Sequence, residues 1–205
     1  MQKFFGFYWT LPVNWTGFQS LPRNVDEAAD ASRTIRYQRD YVRRWVKDTG
    51  GVLIGERAFL ELQPDRGTPH ISTDVDRVLN KCRDEDAALV IVDFASTFGW
   101  RRHGPLWERL RSSQTPYEVL DPAPIMIDGE EFDPVAHFRA WREIEHARAQ
   151  DKPDRKAALA DTIAQLSPEH ASLEGIAAAL NEIGKTTTTG KPWTADNLRK
   201  FLKSI

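Results

Sequence analysis

Residues 87–95 read AALVIVDFA, and the first six, 87–92, form an unbroken apolar run between the charged residues Asp86 and Asp93. A strand that is covered by helices on both faces has this composition, because neither face of the strand meets water. A strand with one wet face alternates apolar and polar residues instead. The run therefore predicts a central strand of a parallel sheet.

The segments around this run alternate between two periodicities. Aromatic and β-branched stretches predict further strands, and apolar residues at helical spacing predict helices between them. Gly55 interrupts one strand and predicts a β-bulge there, whereas Ser72 to Asp74 predict a helix cap. Such alternation indicates an α/β fold with a mostly parallel sheet flanked by helices. The predicted strands are 3–11, 51–62 and 117–120, and the predicted helices are 25–47, 72–84 and 104–112.

A proline-rich stretch, DPAPIMIDGEEFDP over residues 121–134, follows the last predicted strand. We expect it to end the first domain, which then covers residues 1–130. Two helices, 134–150 and a continuation to about 166, occupy a connecting region over 131–166. They are candidates for a dimer contact, although a plain helical strut has the same pattern.

The C-terminal region, 167–205, predicts a small all-α module. Apolar spacing from Leu173 to Ile183 indicates a helix that Ser172 caps and Gly184 ends. A polar turn follows, and a second helix begins after Thr194, with Trp193 as its core anchor. Two short helices with basic residues on the second are typical of a helix-turn-helix, although a plain helical hairpin is the alternative.

Composition limits the remaining possibilities. Of the 205 residues 40% are hydrophobic, the net charge is −2, and Cys82 is the single cysteine, which excludes an internal disulfide. The sequence has no run long enough for a membrane span and no signal-peptide pattern, so we expect a cytoplasmic protein with no membrane partner. Basic residues cluster locally, with six Lys or Arg between Arg33 and Lys47. Contact with DNA would therefore come from patches of charge.

The segment IAAALNEIGKTTTTGKPWTADNLRKFL, residues 176–202, resembles the DNA-binding segment that follows the catalytic domain of serine recombinases. The order of elements over residues 3–120 resembles the resolvase and invertase-type catalytic domain of that family. Its equivalents include the pair Gln38–Arg39 and a strand that ends at Asp93. The resemblance implies a resolvase-like sheet and binding to double-stranded DNA.

The catalytic residues that the resemblance implies do not carry over. The first strand of the family ends in a Tyr-x-Arg-x-Ser arrangement, and alignment on Tyr8 puts Thr10 at the arginine and Pro12 at the serine. Proline has no nucleophile, so a covalent protein–DNA intermediate cannot form there. We therefore expect a pseudoenzyme with no catalytic residues, unless a loop serine such as Ser20 or Ser32 has taken over.

The predicted DNA contacts belong mainly to the C-terminal module, with further phosphate contacts in the first domain. Arginines and lysines bind phosphate through charge, and threonine binds it through its hydroxyl group. Asp128 to Asp133 form an acidic cluster that solvated charge and helix capping explain better than a metal site. The histidines lack metal-ligand spacing, so no metal and no cofactor are expected. The DNA-binding candidates are Lys185, Thr188, Lys191, Arg199, Lys200 and Lys203, and the possible phosphate contacts are Arg66, Arg101 and Arg102.

The sequence favours a DNA-binding protein with a recombinase-like fold and no strand cleavage. It would regulate transcription or assist an active recombinase, as a homodimer or with another protein, in the context of a mobile element. An active recombinase with a displaced nucleophile is one alternative. A protein–protein adaptor that uses the loop at 12–24 and exposed tryptophans is another.

Overall fold

The computed structural model divides into two compact units. The first contains Met1–Pro12 and Gln19–Phe138, and the second contains Val13–Phe18 and Arg139–Ile205. The structure describes residues 1–63, 67–96, 102–170, 172–188 and 190–205.

A four-stranded parallel sheet forms the centre of the first unit. Its strands are β1 (Lys3–Thr10), β2 (Val52–Leu60), β3 (Ala87–Val92) and β4 (Tyr117–Leu120), in the order β2-β1-β3-β4. All three neighbouring pairs are parallel. Every residue of β3 is buried, as its apolar run predicts. The α/β prediction, with a parallel sheet between helices, is confirmed.

The pairing of β1 with β2 contains the irregularity predicted at Gly55. Phe4 pairs with Leu53 and Phe5 pairs with Gly55, so Ile54 is the additional residue of β2. A Cβ atom at Gly55 would lie 2.4 Å from the ring of Phe5. Glycine is therefore required because the aromatic ring of the neighbouring strand covers the backbone there.

Helices cover both faces of the sheet. They are α1 (Val25–Ala31), α2 (Arg33–Asp48), α3 (Ile71–Asp84) and α4 (Gly104–Ser112). Alternate residues of β3 point to opposite faces, so the strand contributes to two cores. Val90 and Val92 belong to the core that contains residues of α1 and α2. Leu89 and Ile91 belong to the core that contains residues of α3 and α4.

The prediction of one helix over residues 25–47 is wrong. Ser32 has an extended backbone, with a φ of −141°, and its Oγ accepts a hydrogen bond from the Ile35 N–H at 3.4 Å. A serine that caps a helix in this way competes with a continuous helix, which explains the break between α1 and α2. The predicted cap of α3 is also wrong, because α3 begins at Ile71 and Ser72 to Asp74 lie inside it.

The proline-rich stretch 121–134 contains a β-hairpin of the first unit. Strands β5 (Ile125–Ile127) and β6 (Glu130–Phe132) pair antiparallel around Asp128 and Gly129, which both have positive φ. Ile125, Ile127 and Phe132 are buried in the same core as Tyr37. The first unit consequently runs to Phe138, beyond the expected limit of 130.

The second unit is built mainly of helices. They are α5 (Pro134–Gln150), of which the part from Arg139 onward belongs here, α6 (Lys152–Leu166), α7 (Leu173–Glu182) and α8 (Ala195–Leu202). Ile163 of α6 lies in the same core as residues of α7 and α8, so the terminal helices do not pack alone.

The segment Val13–Phe18 also belongs to the second unit. The ring of Trp15 stacks on Trp141 with centroids 5.9 Å apart, and the guanidinium of Arg148 lies 5.0 Å from the Trp15 ring. Trp15, which the adaptor alternative offers to a partner, is thus engaged within the chain. Among the described residues, no helix has the length and apolar character needed to cross a membrane.

Candidate nucleic-acid interface

Helix α7 begins and ends at the residues that the sequence predicts. The Oγ atom of Ser172 accepts a hydrogen bond from the Gly175 N–H at 3.1 Å. Gly184 has a φ of +70°, and the Lys185 N–H donates to the Leu180 carbonyl at 2.8 Å. This left-handed residue followed by a backward hydrogen bond is the common way for a helix to stop.

The connection from α7 to α8 is longer than the turn of an ordinary helix-turn-helix. It covers residues 183–194, whereas that motif has three or four residues between its helices. The Asn181 side chain anchors the far end of the connection. Its amide donates to the Trp193 carbonyl at 2.9 Å and accepts from the Trp193 N–H at 2.8 Å. This role of Asn181 is not evident from the sequence, because a contact across twelve residues has no local signature.

A tight turn within the connection holds Lys191. The Thr187 N–H donates to the Lys191 carbonyl and the Lys191 N–H donates to Oγ1 of Thr187, both at 2.9 Å. Gly190 has a φ of +80°, and a Cβ atom there would lie 2.2 Å from the Asn14 carbonyl oxygen. The turn therefore needs glycine both for its backbone conformation and for its close approach to Asn14.

Helix α8 begins with the predicted cap at Thr194. Its Oγ1 accepts from the Asn197 N–H at 3.2 Å, and the Asn197 side chain accepts from the Thr194 N–H at 2.8 Å, which is a capping box. Trp193 is 3% exposed and meets the Phe201 ring edge-on, so its predicted role as core anchor is confirmed. Within the described residues the Trp193 indole N–H has no acceptor, which costs about 1–3 kcal/mol when such a group is buried.

The structure divides the six predicted DNA-binding residues into two groups. All five cations among them are exposed, and Thr188 is half-buried. Thr188, Lys191 and Lys200 line one surface hollow of about 300 Å³. The remaining three, Lys185, Arg199 and Lys203, are not in its lining. The other lining residues are Thr187, Trp193, Asn197, Phe201 and Ser204.

Lys200 has an acidic neighbour one helical turn earlier. Its Nζ atom lies 2.7 Å from a carboxylate oxygen of Asp196, and both side chains are largely exposed. The hydrogen bond from Lys200 holds the pKa of the Asp196 carboxyl below its usual value. An exposed pair of this kind stabilises a helix little, so a competing anion can replace Asp196 at low cost.

The possible phosphate contacts in the first unit differ from this arrangement. Arg102 donates to the carboxylate of Asp93, with nitrogen–oxygen distances of 3.0 and 3.2 Å, and its guanidinium lies 4.6 Å from the Trp107 ring. Its charge is thus already paired within the chain. Arg66 and Arg101 lie outside the described residues.

The basic run on α2 is paired in the same way. Four of its arginines lie within ion-pair distance of carboxylates in the first unit. The pairs are Arg33 with Glu130, Arg36 with Asp128, Arg39 with Asp26 and Asp40, and Arg43 with Asp26 and Glu56. The acidic cluster at 128–133 thus holds arginines, and it also caps α5, because Oδ1 of Asp133 accepts from the Val135 N–H at 2.8 Å.

The end of β1 offers no exposed group that could attack a phosphate. Thr10 is 7% exposed, and Pro12 is buried. The side chain of Gln38 holds the neighbouring backbone, since it accepts from the Trp9 N–H at 3.2 Å and donates to the Trp9 carbonyl at 2.8 Å. Ser32, a candidate for a displaced nucleophile, is buried and caps α2.

A buried pair that has no signature in the sequence lies beyond the end of β2. Nε2 of His103 is 2.7 Å from Oε2 of Glu61, and both side chains are fully buried. Nδ1 of His103 accepts from the Leu106 N–H at 3.3 Å, so the ring proton is on Nε2 and is donated to Glu61. Both nitrogens are therefore engaged in holding the start of α4.

Glu61 accepts three further hydrogen bonds, from the Leu62 N–H at 2.8 Å and from the N–H and hydroxyl of Thr68 at 2.6 Å each. Burial alone would raise the pKa of the Glu61 carboxyl. The hydrogen bonds from His103, Thr68 and Leu62 outweigh burial and hold that pKa below its usual value. The Glu61 carboxylate thus connects the end of β2 with residues 67–68 and with the start of α4.

The two units consequently differ in how their cations are used. Many described cations of the first unit contact carboxylates or aromatic rings of the chain, whereas of the five predicted DNA-binding cations around α7 and α8, all of them described, Lys200 alone lies within ion-pair distance of a described carboxylate. Comparison of the chain with models of known protein families, with curated proteins and with solved structures finds no match.

Proposed function

We propose that this chain binds double-stranded DNA through the region of α7 and α8 and does not cleave the strands. The observation that carries the proposal is the exposure of all five predicted cations of this region. Duplex DNA presents one negative charge for about every 1.7 Å of its axis, and cations that replace condensed counterions bind it. The net charge of the chain, −2, then requires that this local group supplies the attraction.

The absence of strand cleavage is supported by the end of β1. The resemblance to serine recombinases puts Pro12 at the position of the attacking serine, and the neighbouring Thr10 hydroxyl is buried. Arg102, a candidate clamp for phosphate, already binds Asp93. We therefore infer a resolvase-like first unit without its chemistry, followed by a small helix-turn-helix-like module.

Two biological roles fit a protein of this kind. It can regulate transcription at a DNA site, or it can assist an active recombinase of a mobile element, as a homodimer or with that partner. Both roles require DNA binding without chemistry, so both depend on the same first experiment.

The test is retention of the intact chain on random duplex DNA at about 50 and 200 mM salt. We expect binding that weakens steeply with salt, because phosphate contacts release counterions. A variant with Lys185, Arg199 and Lys203 changed to Gln should bind more weakly. The slope of log K against log salt should become shallower by up to about 2.7, which is 0.9 for each phosphate that the variant no longer neutralises.

A matched control changes three exposed cations elsewhere, Arg44, Lys47 and Lys152, to Gln, which alters the net charge equally. This control should retain most of the affinity and slope. Equal losses in the two variants would show nonspecific attraction, and no retention of the unaltered chain at either salt would refute the proposal. A covalent protein–DNA adduct on a denaturing gel would instead support an active recombinase.

A further inference from the structure

We propose that the hollow lined by Thr188, Lys191 and Lys200 holds one phosphate of the DNA backbone, and that Asp196 competes with this phosphate for Lys200. The inference rests on the proposed DNA binding and assigns one part of the interface to one residue set. It divides the predicted DNA contacts into those that line the hollow and those that do not, which are Lys185, Arg199 and Lys203.

The composition of the hollow suits an oxyanion. The lining contains Lys191, Lys200 and three residues with hydroxyl groups, Thr187, Thr188 and Ser204. The Ser204 hydroxyl already donates to the Phe201 carbonyl at 2.7 Å, and Oγ1 of Thr187 accepts from the Lys191 N–H. Lysine binds phosphate as a point charge, and hydroxyl groups supply the additional directed hydrogen bonds. The volume of about 300 Å³ accommodates a phosphate group with the sugar that carries it, and the hollow is open to a long polymer.

The residues that face the site are held in place by the chain itself. Three backbone and side-chain hydrogen bonds within residues 187–191 fix Lys191, and the capping box fixes the first turn of α8. A site that is organised before the ligand arrives loses less conformational entropy on binding. Lys191 and Lys200 come from the connection and from α8, so the site exists only when the two are folded together.

Trp193 provides a second observation that points to a ligand. It lines the hollow, it is 3% exposed, and its indole N–H has no acceptor within the described residues. Buried donors are almost always satisfied in folded proteins. The Nε1 atom of Trp193 is itself buried, so an acceptor from outside the chain reaches it only where the lining of the hollow opens around it. A phosphate oxygen is an acceptor of the right charge.

Asp196 regulates the site, because it binds the same lysine. Its carboxylate lies 2.7 Å from Nζ of Lys200, whereas no carboxylate of the described residues lies within ion-pair distance of Lys191. A phosphate that approaches Lys200 therefore meets a carboxylate of like charge that already contacts the same ammonium group. Removal of the Asp196 charge should release the lysine and strengthen binding.

The experiment measures duplex DNA binding by the intact chain carrying Lys191→Met, Lys200→Met, Asp196→Asn or, as control, Lys152→Met. A chain that neutralises one phosphate fewer should bind about eightfold more weakly at about 0.1 M salt, with a salt slope shallower by about 0.9. We expect this result for the first two variants, with no change for Lys152→Met, an exposed lysine on α6. Asp196→Asn should tighten binding, by up to about the same factor.

A spectroscopic arm follows the indole N–H signals of the ¹⁵N-labelled chain, with the Trp193 signal identified by its disappearance in Trp193→Phe. Duplex DNA should shift this signal, and the shift should be absent in the Lys191→Met/Lys200→Met double variant. Inorganic phosphate serves as the second probe. If phosphate shifts the signal and DNA does not, the hollow takes a free anion and the proposal is wrong.

The outcomes also separate this inference from the proposed function. If the unaltered chain binds DNA with a steep salt slope but Lys191→Met and Lys200→Met behave like Lys152→Met, the assignment of the hollow fails and DNA binding stands. If the unaltered chain retains no DNA, both fail.

Discussion

Trp193→Ala should destabilise the core of the second unit by about 3–5 kcal/mol, the usual cost of truncating a buried tryptophan. Trp193 is 3% exposed and lies in one core with residues of α6, α7 and α8. No other described residue of this core has a side chain of that size, so the neighbouring helices would have to close a large cavity. The same substitution removes the edge-on contact with Phe201.

Hydrogen exchange measured by mass spectrometry tests this prediction in the intact chain. Exchange should accelerate in peptides of α7 and α8 by a factor of about one hundred to a few thousand, because each 1.4 kcal/mol corresponds to a factor of ten. Peptides of β1 and β3 should be unaffected, because they belong to the other unit. Two controls calibrate the effect. Trp193→Phe keeps an aromatic ring and should cost less, and Ile144→Ala removes a side chain that is 54% exposed and should change little.

If exchange in α7 and α8 stayed unchanged in Trp193→Ala, Trp193 would not be the anchor of this core. The same core also supports the proposed DNA binding, because Lys191 and Lys200 line one hollow only when the connection is packed against α8. Trp193→Ala should therefore also weaken DNA binding, through disruption of the hollow and not through a change of charge.

Local chemistry made much of the fold predictable. The apolar run of β3 could be assigned because a strand with two buried faces needs no alternation. Ser172, Gly184 and Thr194 could be assigned because caps act through hydrogen bonds to backbone within three to five residues. The resulting elements and their order agree with the parallel sheet.

Contacts between distant residues could not be predicted. Apolar spacing continues across Ser32, so the break between α1 and α2 depends on a cap that competes with that pattern. The hairpin at 125–132 was not predicted, because the prolines on either side of it indicate a loop. Its buried residues are Ile125, Ile127 and Phe132. The charges of the arginines on α2 were visible in the sequence, whereas their carboxylate partners, up to 97 positions away for Arg33, were not.

The pair of Glu61 and His103 is the clearest case of a contact that the sequence could not predict. The two residues are fully buried together, and 42 positions separate them. Nothing in the local pattern distinguishes Glu61 from the exposed acids near it. Its burial, and its hydrogen bonds from Leu62, Thr68 and His103, became evident from the folded chain alone. A carboxylate in such a position is expected to affect stability more than any surface acid.

Glu61→Gln should lower the free energy of unfolding of the first unit by about 3 kcal/mol at pH 7. The amide keeps one acceptor oxygen, but its NH₂ group would face donors at the other position, where Glu61 now accepts from Thr68 or His103. An unsatisfied buried donor costs about 1–3 kcal/mol, and hydrogen bonds to a charged group contribute more than neutral ones. Chemical denaturation followed by a signal of the first unit measures the difference. Glu108→Gln, a change at an exposed position of α4, is the control and should be within about 0.5 kcal/mol of the unaltered chain.

The pH dependence of this difference distinguishes a charged Glu61 from a neutral one. The folded-state pKa of Glu61 is held below the usual value of 4.5. A depressed pKa means that the folded chain favours the carboxylate, so the contribution is fully present above pH 4.5 and is lost as the pH falls through the folded-state pKa. The unaltered chain should therefore lose stability below pH 4.5 more steeply than Glu61→Gln, and the two should converge in acid. A difference that stayed constant from about pH 7 to about pH 3 would mean that folding leaves the pKa of Glu61 unchanged. A stability that instead fell as the pH rose above 4.5 would mean a raised pKa, with Glu61 protonated in the folded chain.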